Sequence, residues 1–166
     1  MKKSFYITLV ALGLALSSCF KDTVEYTRFN LSVQEQNQKD GEYYPSDDVE
    51  AYAYYADTAV WSIDSYEAAL ERRLTNKKSG QTLSKPDVEA QAVADEKYPL
   101  MLELRQEKCL MVVVDPVHRI YATRYYLKPE NLADVYARLY IATWRQSMNS
   151  SGWRVVNQFY ETEKTE

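Results

Sequence analysis

Few residues in this chain of 166 could perform chemistry, and their spacing matches no known catalytic pattern. His118 is the single histidine and lies in the segment Asp115-Pro-Val-His-Arg119, which is typical of a solvated turn. A serine or cysteine nucleophile needs a nearby general base, so we predict no catalytic triad. The sequence also lacks a glycine-rich phosphate loop and any His/Cys spacing typical of a metal site. We therefore predict neither a bound metal nor a cofactor.

Carboxylates are the remaining residues that could act on a substrate. Asp47, Asp48, Glu50 and Asp57 flank one predicted strand and could offer oxygen ligands to calcium or an acid pair to glycoside hydrolysis. The spacing of an EF-hand is absent, and acids in the polar segments before and after a strand are common without any binding role. A carboxylate-dependent hydrolase acting on an envelope or dietary glycan stays open as the alternative function. It requires two acids within about 10 Å of each other in a cleft.

Tyrosine is the abundant residue that could bind a partner, with fifteen in the chain. A tyrosine ring offers a rigid apolar face and a hydroxyl at low entropic cost, and the same face stacks on sugars. The alternative is that most of these rings pack in the core or half-cover the sheet.

Alternation along two predicted strands selects four of these tyrosines, because successive side chains point to opposite faces of a sheet. The small residues Ala51, Ala53 and Ala122 would let helices approach one face closely. The opposite face then carries Tyr52, Tyr54, Tyr121 and Tyr125. We predict that these four rings are partly exposed on a helix-free face and form the partner-binding surface.

Period-2 alternation also predicts most of the strands that position these residues. The clearest example is Thr27 to Val33, where apolar and polar residues alternate along the chain. Leu110 to Val114 is apolar on both faces, as in a central strand, and it follows Cys109, a lone thiol that we predict to be buried and inert. Strands are predicted at 27–33, 49–56, 100–105, 110–114, 120–127 and 153–160.

Helical spacing predicts two main helices. The first runs from Ile63 to Leu74, with Asp64 and Glu67 as a capping pair. The second begins at Pro129 and carries an apolar stripe of Leu132, Val135, Tyr136, Leu139 and Thr143. A short additional helix is predicted at 87–97.

The order of these elements predicts an α+β fold, a mostly antiparallel sheet with both main helices packed on one face. The alternative is a prealbumin-like or immunoglobulin-like β-sandwich with added helices. Residues 24–161 fit a single domain of ordinary size, followed by a charged tail at 162–166.

The N-terminus has the three parts of an export signal. Met1-Lys2-Lys3 is basic, and Phe5 to Leu16 is an apolar run too short to span a bilayer. The run closes with Leu16-Ser17-Ser18-Cys19, which resembles the lipobox of bacterial lipoproteins. The resemblance implies that residues 1–18 are a signal peptide, that Cys19 is lipidated and that 19–23 form a tether to the membrane.

Longer segments resemble uncharacterised outer-membrane lipoproteins of gut Bacteroidota-type bacteria. They are Val49-Glu-Ala-Tyr-Ala-Tyr-Tyr-Ala-Asp57 with Trp61 and Ser65-Tyr66-Glu67, Val112-Val-Val-Asp115 and Ile120-Tyr-Ala122. Phe20 after the cysteine favours sorting to the outer membrane, and Lys21-Asp22 is similar to a surface-export signal of that group. The resemblance implies a lipid-anchored protein that faces the cell surface or the periplasm, and it brings no activity with it.

Charge excludes one class of partner. The net charge is −4 and becomes more negative when Lys2 and Lys3 are removed with the signal peptide. Nucleic-acid binding needs clustered cations, whereas the basic residues here are scattered among acids. We therefore predict a non-enzymatic envelope accessory protein that contacts the membrane through its lipid and binds a protein or glycan partner through an aromatic sheet face.

Overall fold

The computed structural model describes residues 26–46, 48–105, 107–126, 133–141 and 153–157. Within these ranges the chain forms one short helix, α1 (Tyr66–Leu70), and thirteen strands. The strands are β1 (Tyr26–Gln36), β2 (Tyr43–Pro45), β3 (Glu50–Tyr54), β4 (Trp61–Ser62), β5 (Leu74–Asn76), β6 (Thr82–Leu83), β7 (Val88–Glu89), β8 (Gln91–Ala92), β9 (Leu100–Arg105), β10 (Cys109–Asp115), β11 (Ile120–Tyr126), β12 (Asp134–Ile141) and β13 (Arg154–Asn157).

The strands form three sheets. The front sheet has the order β12-β1-β9-β8, with β2 also paired to β1. The back sheet has the order β13-β11-β10-β3-β7, and the small sheet has the order β4-β5-β6. The pairing of β1 with β12 is parallel, and the other strand pairs are antiparallel.

The front and back sheets pack face to face over the larger hydrophobic core. On β1, alternation puts Phe29, Leu31 and Val33 inside, each almost fully buried. The facing residues of the back sheet include Ala53 and Met111. The front sheet therefore covers the small residues of β3 that were expected to lie under helices.

A second core lies on the other face of the back sheet. There α1 and β5 cover the rings and aliphatic side chains that alternate with the first set, among them Tyr52, Val112 and Tyr121. The back sheet is thus buried on both faces, which agrees with the apolar sequence of β10 on both sides.

The predicted α+β fold with two main helices on one face is wrong. The described chain consists mostly of antiparallel β-sheets and carries a single helix of five residues. Two facing sheets and a third small sheet take the place of the expected helix layer, and α1 is the single helix of the described chain.

The second predicted helix is replaced by a strand where the structure describes it. Apolar residues of this segment fit the helical period, but Val135, Ala137, Leu139 and Ile141 also alternate. Parallel pairing with β1 buries the inner members of this series and places Tyr136 and Tyr140 outside. Tertiary pairing therefore decides between two periods that the same residues satisfy.

The first predicted helix is shortened to Tyr66–Leu70. Its N-cap is Ser65, whose hydroxyl accepts a hydrogen bond from Ala68 N at 3.1 Å, whereas Asp64 was the predicted cap. The helix ends because Arg72 adopts a left-handed conformation with φ of 56°. The short helix predicted at 87–97 is also wrong, since β7 and β8 occupy that segment.

The remaining strand predictions are confirmed within one to a few residues, in β1, β3, β9, β10, β11 and β13. The signal peptide at 1–18, the tether at 19–23 and the tail at 162–166 lie outside the described residues. Among the residues that are described, no helix is long and apolar enough to cross a membrane.

Candidate functional site

The four tyrosines predicted to bind a partner do share one face of the back sheet. Tyr52 and Tyr54 lie opposite Val112 and Leu110, and the same two residues of β10 face Thr123 and Tyr125 of β11. The predicted exposure is wrong for three of them, because Tyr52, Tyr54 and Tyr121 are buried under α1 and the small sheet.

Two of these rings fix the end of the helix. The Tyr52 hydroxyl donates a hydrogen bond to Ala69 O, and the Tyr54 hydroxyl donates one to Arg72 O. Ala69 O also accepts a hydrogen bond from Arg72 N at 3.1 Å, and Arg72 follows the helix, so the two hydroxyls attach the turn that ends α1 to β3. Burial also raises the pKa of Tyr54 to about 12. These side chains are structural.

Tyr125 is the exception among the four. It is half-buried and lines a cleft of about 520 Å³ together with Tyr55, Asp57 and Lys108. Tyr125 lies at the same level of the sheet as Tyr54, since both pair with Leu110, but Tyr54 is buried there. A single half-buried ring does not form a platform.

An exposed aromatic surface occurs instead on the outer face of the front sheet. We call it the tyrosine strip, and it consists of Tyr43, Tyr98, Tyr136, Tyr140 and Arg138. Tyr136 is 60% exposed, and Tyr43 and Tyr140 are 38% and 37% exposed. These values place the rings at the surface while their edges stay in contact with neighbours.

The strip is held together by ring contacts and one cation. Tyr43 and Tyr140 meet edge to face with centroids 5.0 Å apart, and Tyr98 and Tyr136 do so at 5.1 Å. Arg138 joins the two pairs, because its guanidinium lies 5.7 Å from the centroid of Tyr98 and hydrogen-bonds with Tyr140, a contact that raises the pKa of Arg138.

Polar side chains of β1 lie beneath and between the rings. Register places Asn30, Ser32 and Gln34 opposite Tyr136, Arg138 and Tyr140. Gln34 Nε2 donates to Ser32 Oγ at 2.6 Å, and Asn30 Nδ2 donates to the carbonyl of Val135 at 3.3 Å. The strip therefore combines ring faces with amide groups that can hydrogen-bond a ligand.

A second candidate lies at one end of the sandwich, where Glu35, Asp115 and His118 meet. We call these three residues the acid–imidazole cluster. Glu35 continues the inward-facing series of β1, and Asp115 ends the inward-facing series of β10. Their carboxyl groups thus approach each other from the two sheets.

The turn after β10 holds this cluster in place. Asp115 Oδ1 accepts hydrogen bonds from the backbone N–H groups of Val117 and His118 at 2.9 and 3.0 Å. His118 Nδ1 lies 2.8 Å from Asp115 Oδ2 and 3.1 Å from Glu35 Oε1. The turn closes through Arg119, whose φ of 54° is left-handed.

Burial and mutual contact shift the pKa values of all three groups. Burial, together with a hydrogen bond to Asp115, raises the pKa of Glu35 to about 7. Burial acts in the same direction on Asp115, but hydrogen bonds from Glu35 and His118 outweigh it and lower the pKa of that carboxyl. Burial opposes the charge of His118, yet its contact with Asp115 dominates and raises the pKa of the imidazole.

The cluster satisfies the distance criterion for metal coordination, but Asp115 is already engaged by the turn and by His118. One oxygen or nitrogen from each residue lies within 4.8 Å of the others, the only such group found among the described residues. Asp115 Oδ1 accepts two backbone hydrogen bonds and Oδ2 lies 2.8 Å from His118 Nδ1, whereas the buried Glu35 Oε1 has no hydrogen-bond partner. Short contacts among three ionisable groups favour proton sharing in the cluster.

A cleft of about 340 Å³ opens beside the cluster. Glu35 and His118 reach its wall, whereas Asp115 is buried behind them. The remaining lining is Gln36, Asn37, Gln38, Tyr44 and Pro45 from the β1–β2 hairpin. The cleft wall is therefore polar and belongs largely to that hairpin.

The other residues singled out from the sequence have ordinary surroundings. Cys109 is buried as predicted, and burial raises the pKa of its thiol to about 12. Glu50 pairs with Arg72 at 3.1 Å, and Asp57 lies at the surface. Cys19 and Asp47 lie outside the described residues.

Sequence reasoning missed the residues that build both candidates. Tyr136, Arg138 and Tyr140 were assigned to a helix, although their alternation with apolar residues was a readable strand signal. Glu35 gave no signal, since a glutamate after a strand of alternating residues is ordinary. His118 was correctly placed in a turn, but its contacts with two acids depend on tertiary structure.

Comparisons with protein-family models, with curated proteins and with solved structures found no match. The functional argument therefore depends on the chemistry of the described residues.

Proposed function

We propose that this chain is a non-enzymatic, lipid-anchored protein of the bacterial envelope that binds a glycan through the tyrosine strip. Lipidation at Cys19 would attach it to the outer membrane, with the folded domain facing the cell surface or the periplasm. The sequence features at the N-terminus support the anchor, and the exposed rings of the front sheet support the binding role.

The observation that carries the binding role is the exposure of Tyr136 beside Tyr140 and Arg138 on one flat sheet face. Pyranose rings present C–H groups that stack on aromatic faces, while their hydroxyls need hydrogen-bond partners. The strip offers both kinds of contact, because Gln34 and the Arg138 guanidinium border the rings. Ring contacts within the strip also limit the conformational entropy lost on binding.

A glycan suits the strip better than a protein partner. A stable protein interface buries about 800 Å² on each side around an apolar centre. The strip lacks such a centre, because polar Asn30 and Ser32 lie beside Tyr136 and Arg138 on the adjacent strand. A protein partner is nevertheless a distinct outcome of the experiment below.

The alternative function, a carboxylate-dependent hydrolase, has one supporting observation. Glu35 and Asp115 are two acids in contact beside a cleft, and a carboxyl with a pKa near 7 can act as a general acid. One oxygen of each lies within 4.8 Å of the other, closer than the roughly 5–5.5 Å of retaining glycosidases. Asp115 is also buried and committed to the turn, so the binding role is better supported.

The test uses the mature domain without its lipid and the double variant Tyr136→Ala, Tyr140→Ala. Mobility in native gels cast with soluble polysaccharides reports glycan binding. The wild type should be retarded by at least one neutral or acidic polysaccharide, and the double variant should lose that retardation while its melting temperature stays nearly unchanged.

Tyr26→Ala is the matched control, since Tyr26 is 50% exposed at the opposite end of β1 and should not affect binding. Equal retardation of wild type and double variant would exclude the strip as the glycan site. Capture of one defined envelope protein, lost in the double variant, would replace the glycan with a protein partner.

The anchor is tested separately by Cys19→Ala in the full chain. Acyl chains would be the stable membrane attachment, so the variant should leave the detergent-extracted membrane fraction. Unchanged membrane fractionation, with no lipid mass on the N-terminal peptide, would refute lipidation.

A further inference from the structure

The acid–imidazole cluster joins the two sheets at a place where apolar contacts would otherwise continue. Phe29, Leu31 and Val33 form the inner face of β1, and Glu35 is the next inward residue. Across from it, Asp115 follows Val113 on the inner face of β10. This end of the sandwich is therefore closed by polar contacts that depend on protonation.

The geometry favours a proton among the two acids. One carboxylate oxygen of Glu35 and one of Asp115 lie within 4.8 Å of each other, and two ionised carboxylates that close repel each other, so protonation of one of them stabilises the arrangement. Asp115 already accepts two backbone hydrogen bonds and faces His118, which favours its charged form. The shared proton therefore resides on Glu35.

Charged groups from the neighbouring elements complete the surroundings of the cluster. Across the cleft, Tyr44 of β2 donates its hydroxyl to Asp40 at 3.1 Å. Beside the turn, Arg119 pairs with Glu67 of α1 at 3.2 Å and lies over the ring of Tyr66 at 5.3 Å. The electrostatic contacts of Glu35 itself are with Asp115 and His118.

Glu35 also belongs to the hairpin that carries one end of the tyrosine strip. It lies opposite Tyr44 in the β1–β2 pairing, and the neighbouring Ser46 lowers the pKa of its carboxyl against the larger effect of burial. The backbone N–H of Ser46 donates to Val33 O at 3.0 Å. Tyr43 on the same short strand packs against Tyr140. The position of Tyr43 thus depends on the strands that the cluster ties down.

We propose that the acid–imidazole cluster is a proton-operated tie that holds the β1–β2 hairpin against the back sheet and thereby controls the Tyr43 end of the tyrosine strip. With the shared proton present, the hairpin is fixed and the strip is complete. When the proton leaves, two adjacent carboxylates face a single imidazole and the hairpin loosens. The ligand part of this inference rests on the proposed function.

The titration of Glu35 places this change in an accessible range, because burial and Asp115 raise its pKa to about 7. His118 acts in the same direction, since its raised pKa keeps the imidazole charged to a higher pH. Both groups therefore favour the closed hairpin in mildly acidic solution.

Amide hydrogen exchange in the ligand-free mature domain tests the tie. The amide of Ser46, corrected for its intrinsic exchange rate, should open at least about tenfold more at pH 8.5 than at pH 5.5. Glu35→Gln keeps a hydrogen-bond donor towards Asp115 without a titrating proton, so it should flatten this dependence. Glu42→Gln, an exposed change in the same hairpin, should leave the dependence as in the wild type.

Carbon-13 NMR of the Glu35 carboxyl provides a second readout that does not depend on a variant. A midpoint near 7 supports the tie, and a midpoint at the ordinary glutamate value would overturn it. Equal pH dependence of Ser46 exchange in wild type and Glu35→Gln would overturn it as well.

Polysaccharide retardation at the two pH values separates the tie from the proposed function. Weaker retardation of wild type at pH 8.5, absent in Glu35→Gln, supports control of the strip. Equal retardation at both pH values would overturn that control. A pH-dependent Ser46 amide without retardation at either pH would support the tie and refute the glycan site.

Discussion

The outer face of the front sheet and the outer face of the back sheet both carry tyrosines, yet their rings have opposite roles. On the back sheet, Tyr52 and Tyr54 are 1% exposed and hydrogen-bond the end of α1. On the front sheet, Tyr136 and Tyr140 remain at the surface. Both sets follow the same alternation along a strand, so alternation alone does not decide whether a ring is structural.

The difference lies in what covers each face. A single turn of helix and the short strand β5 are enough to bury the rings of the back sheet. The front sheet has no such cover among the described residues, and its rings contact each other instead. A tyrosine-rich strand therefore identifies a binding face only when the position of every neighbouring element is known.

Among the substitutions that test this difference between the two faces, Tyr54→Ala should cause the largest loss of stability. The change removes a buried ring and leaves the Arg72 carbonyl at the end of α1 without its hydrogen bond. We expect the free energy of unfolding to fall by about 3 kcal/mol or more. Urea denaturation monitored by circular dichroism measures it, and a loss below about 1 kcal/mol would contradict a structural role for this ring.

Burial in the acid–imidazole cluster changes the pKa of ionisable side chains. Stability should therefore depend on pH there, whereas the buried tyrosines affect stability through packing and hydrogen bonds. Glu35 keeps its proton in the folded state up to about pH 7, whereas the unfolded chain loses it near 4.5. Folding stability from this group is therefore present at low pH and lost as pH rises from about 4.5 through 7. The pKa of His118 is raised above its usual 6.5, so its contribution to folding stability is also lost as the pH rises above that value.

The lowered pKa of Asp115 acts at the other end of the range, where stability falls as pH drops below its usual 3.8. We expect the free energy of unfolding to decrease by on the order of 2 kcal/mol between pH 5 and pH 8. Denaturation across this range in wild type and Glu35→Gln measures the change. A slope that persists unaltered in Glu35→Gln would assign it to other groups.

Tyr52→Phe sharpens the comparison by removing only a hydroxyl. The ring stays buried, but Ala69 O loses the hydrogen bond from the hydroxyl and keeps the one from Arg72 N. The expected cost is about 1 kcal/mol in the free energy of unfolding. Tyr26→Phe, on an exposed ring, serves as the control and should be neutral. A neutral Tyr52→Phe would mean that the hydrogen bond from Arg72 N is sufficient for this carbonyl.

Tyr136→Ala should change stability by no more than about 0.5 kcal/mol, because the ring is 60% exposed. Its neighbour Tyr98 keeps the contact with Arg138. Thermal unfolding compared with Tyr54→Ala gives the contrast directly. Comparable losses in the two variants would show that the front-sheet rings are structural too.

The smallest expected effect is that of a chelator. The predicted absence of a required metal stays a prediction, and proton sharing in the cluster agrees with it. EDTA should leave the melting temperature of the purified mature domain unchanged, since a ligand bound to the native state raises stability. A lowered melting temperature that zinc or manganese restores would reassign the cluster to a cation.

Local alternation predicted the strands well because it depends on the residues themselves. The inward series Phe29, Leu31 and Val33 and the doubly apolar β10 were readable without any knowledge of their partners. Even the shared face of Tyr52, Tyr54, Tyr121 and Tyr125 followed correctly from period 2. What covers that face could not be predicted, because it depends on contacts between distant segments.

The segment of β12 shows how tertiary contacts override local pattern. Leu139 and Val135 suit both a helix and a strand, and parallel pairing with β1 selects the strand. The tyrosine strip was lost from the prediction with this one error. Glu35 could not be assigned to a cluster either, since its partners come from the other sheet and from a turn.

The parallel pairing of β1 with β12 has a consequence for how the chain folds. The bond from Asn30 Nδ2 to Val135 O joins residues 105 positions apart in sequence. Contacts of such long range form slowly, because loop closure must precede the pairing that stabilises it. We therefore expect the strand that carries Tyr136 and Tyr140 to dock after the local hairpins have formed. A chain that stops short of this strand would lack the tyrosine strip.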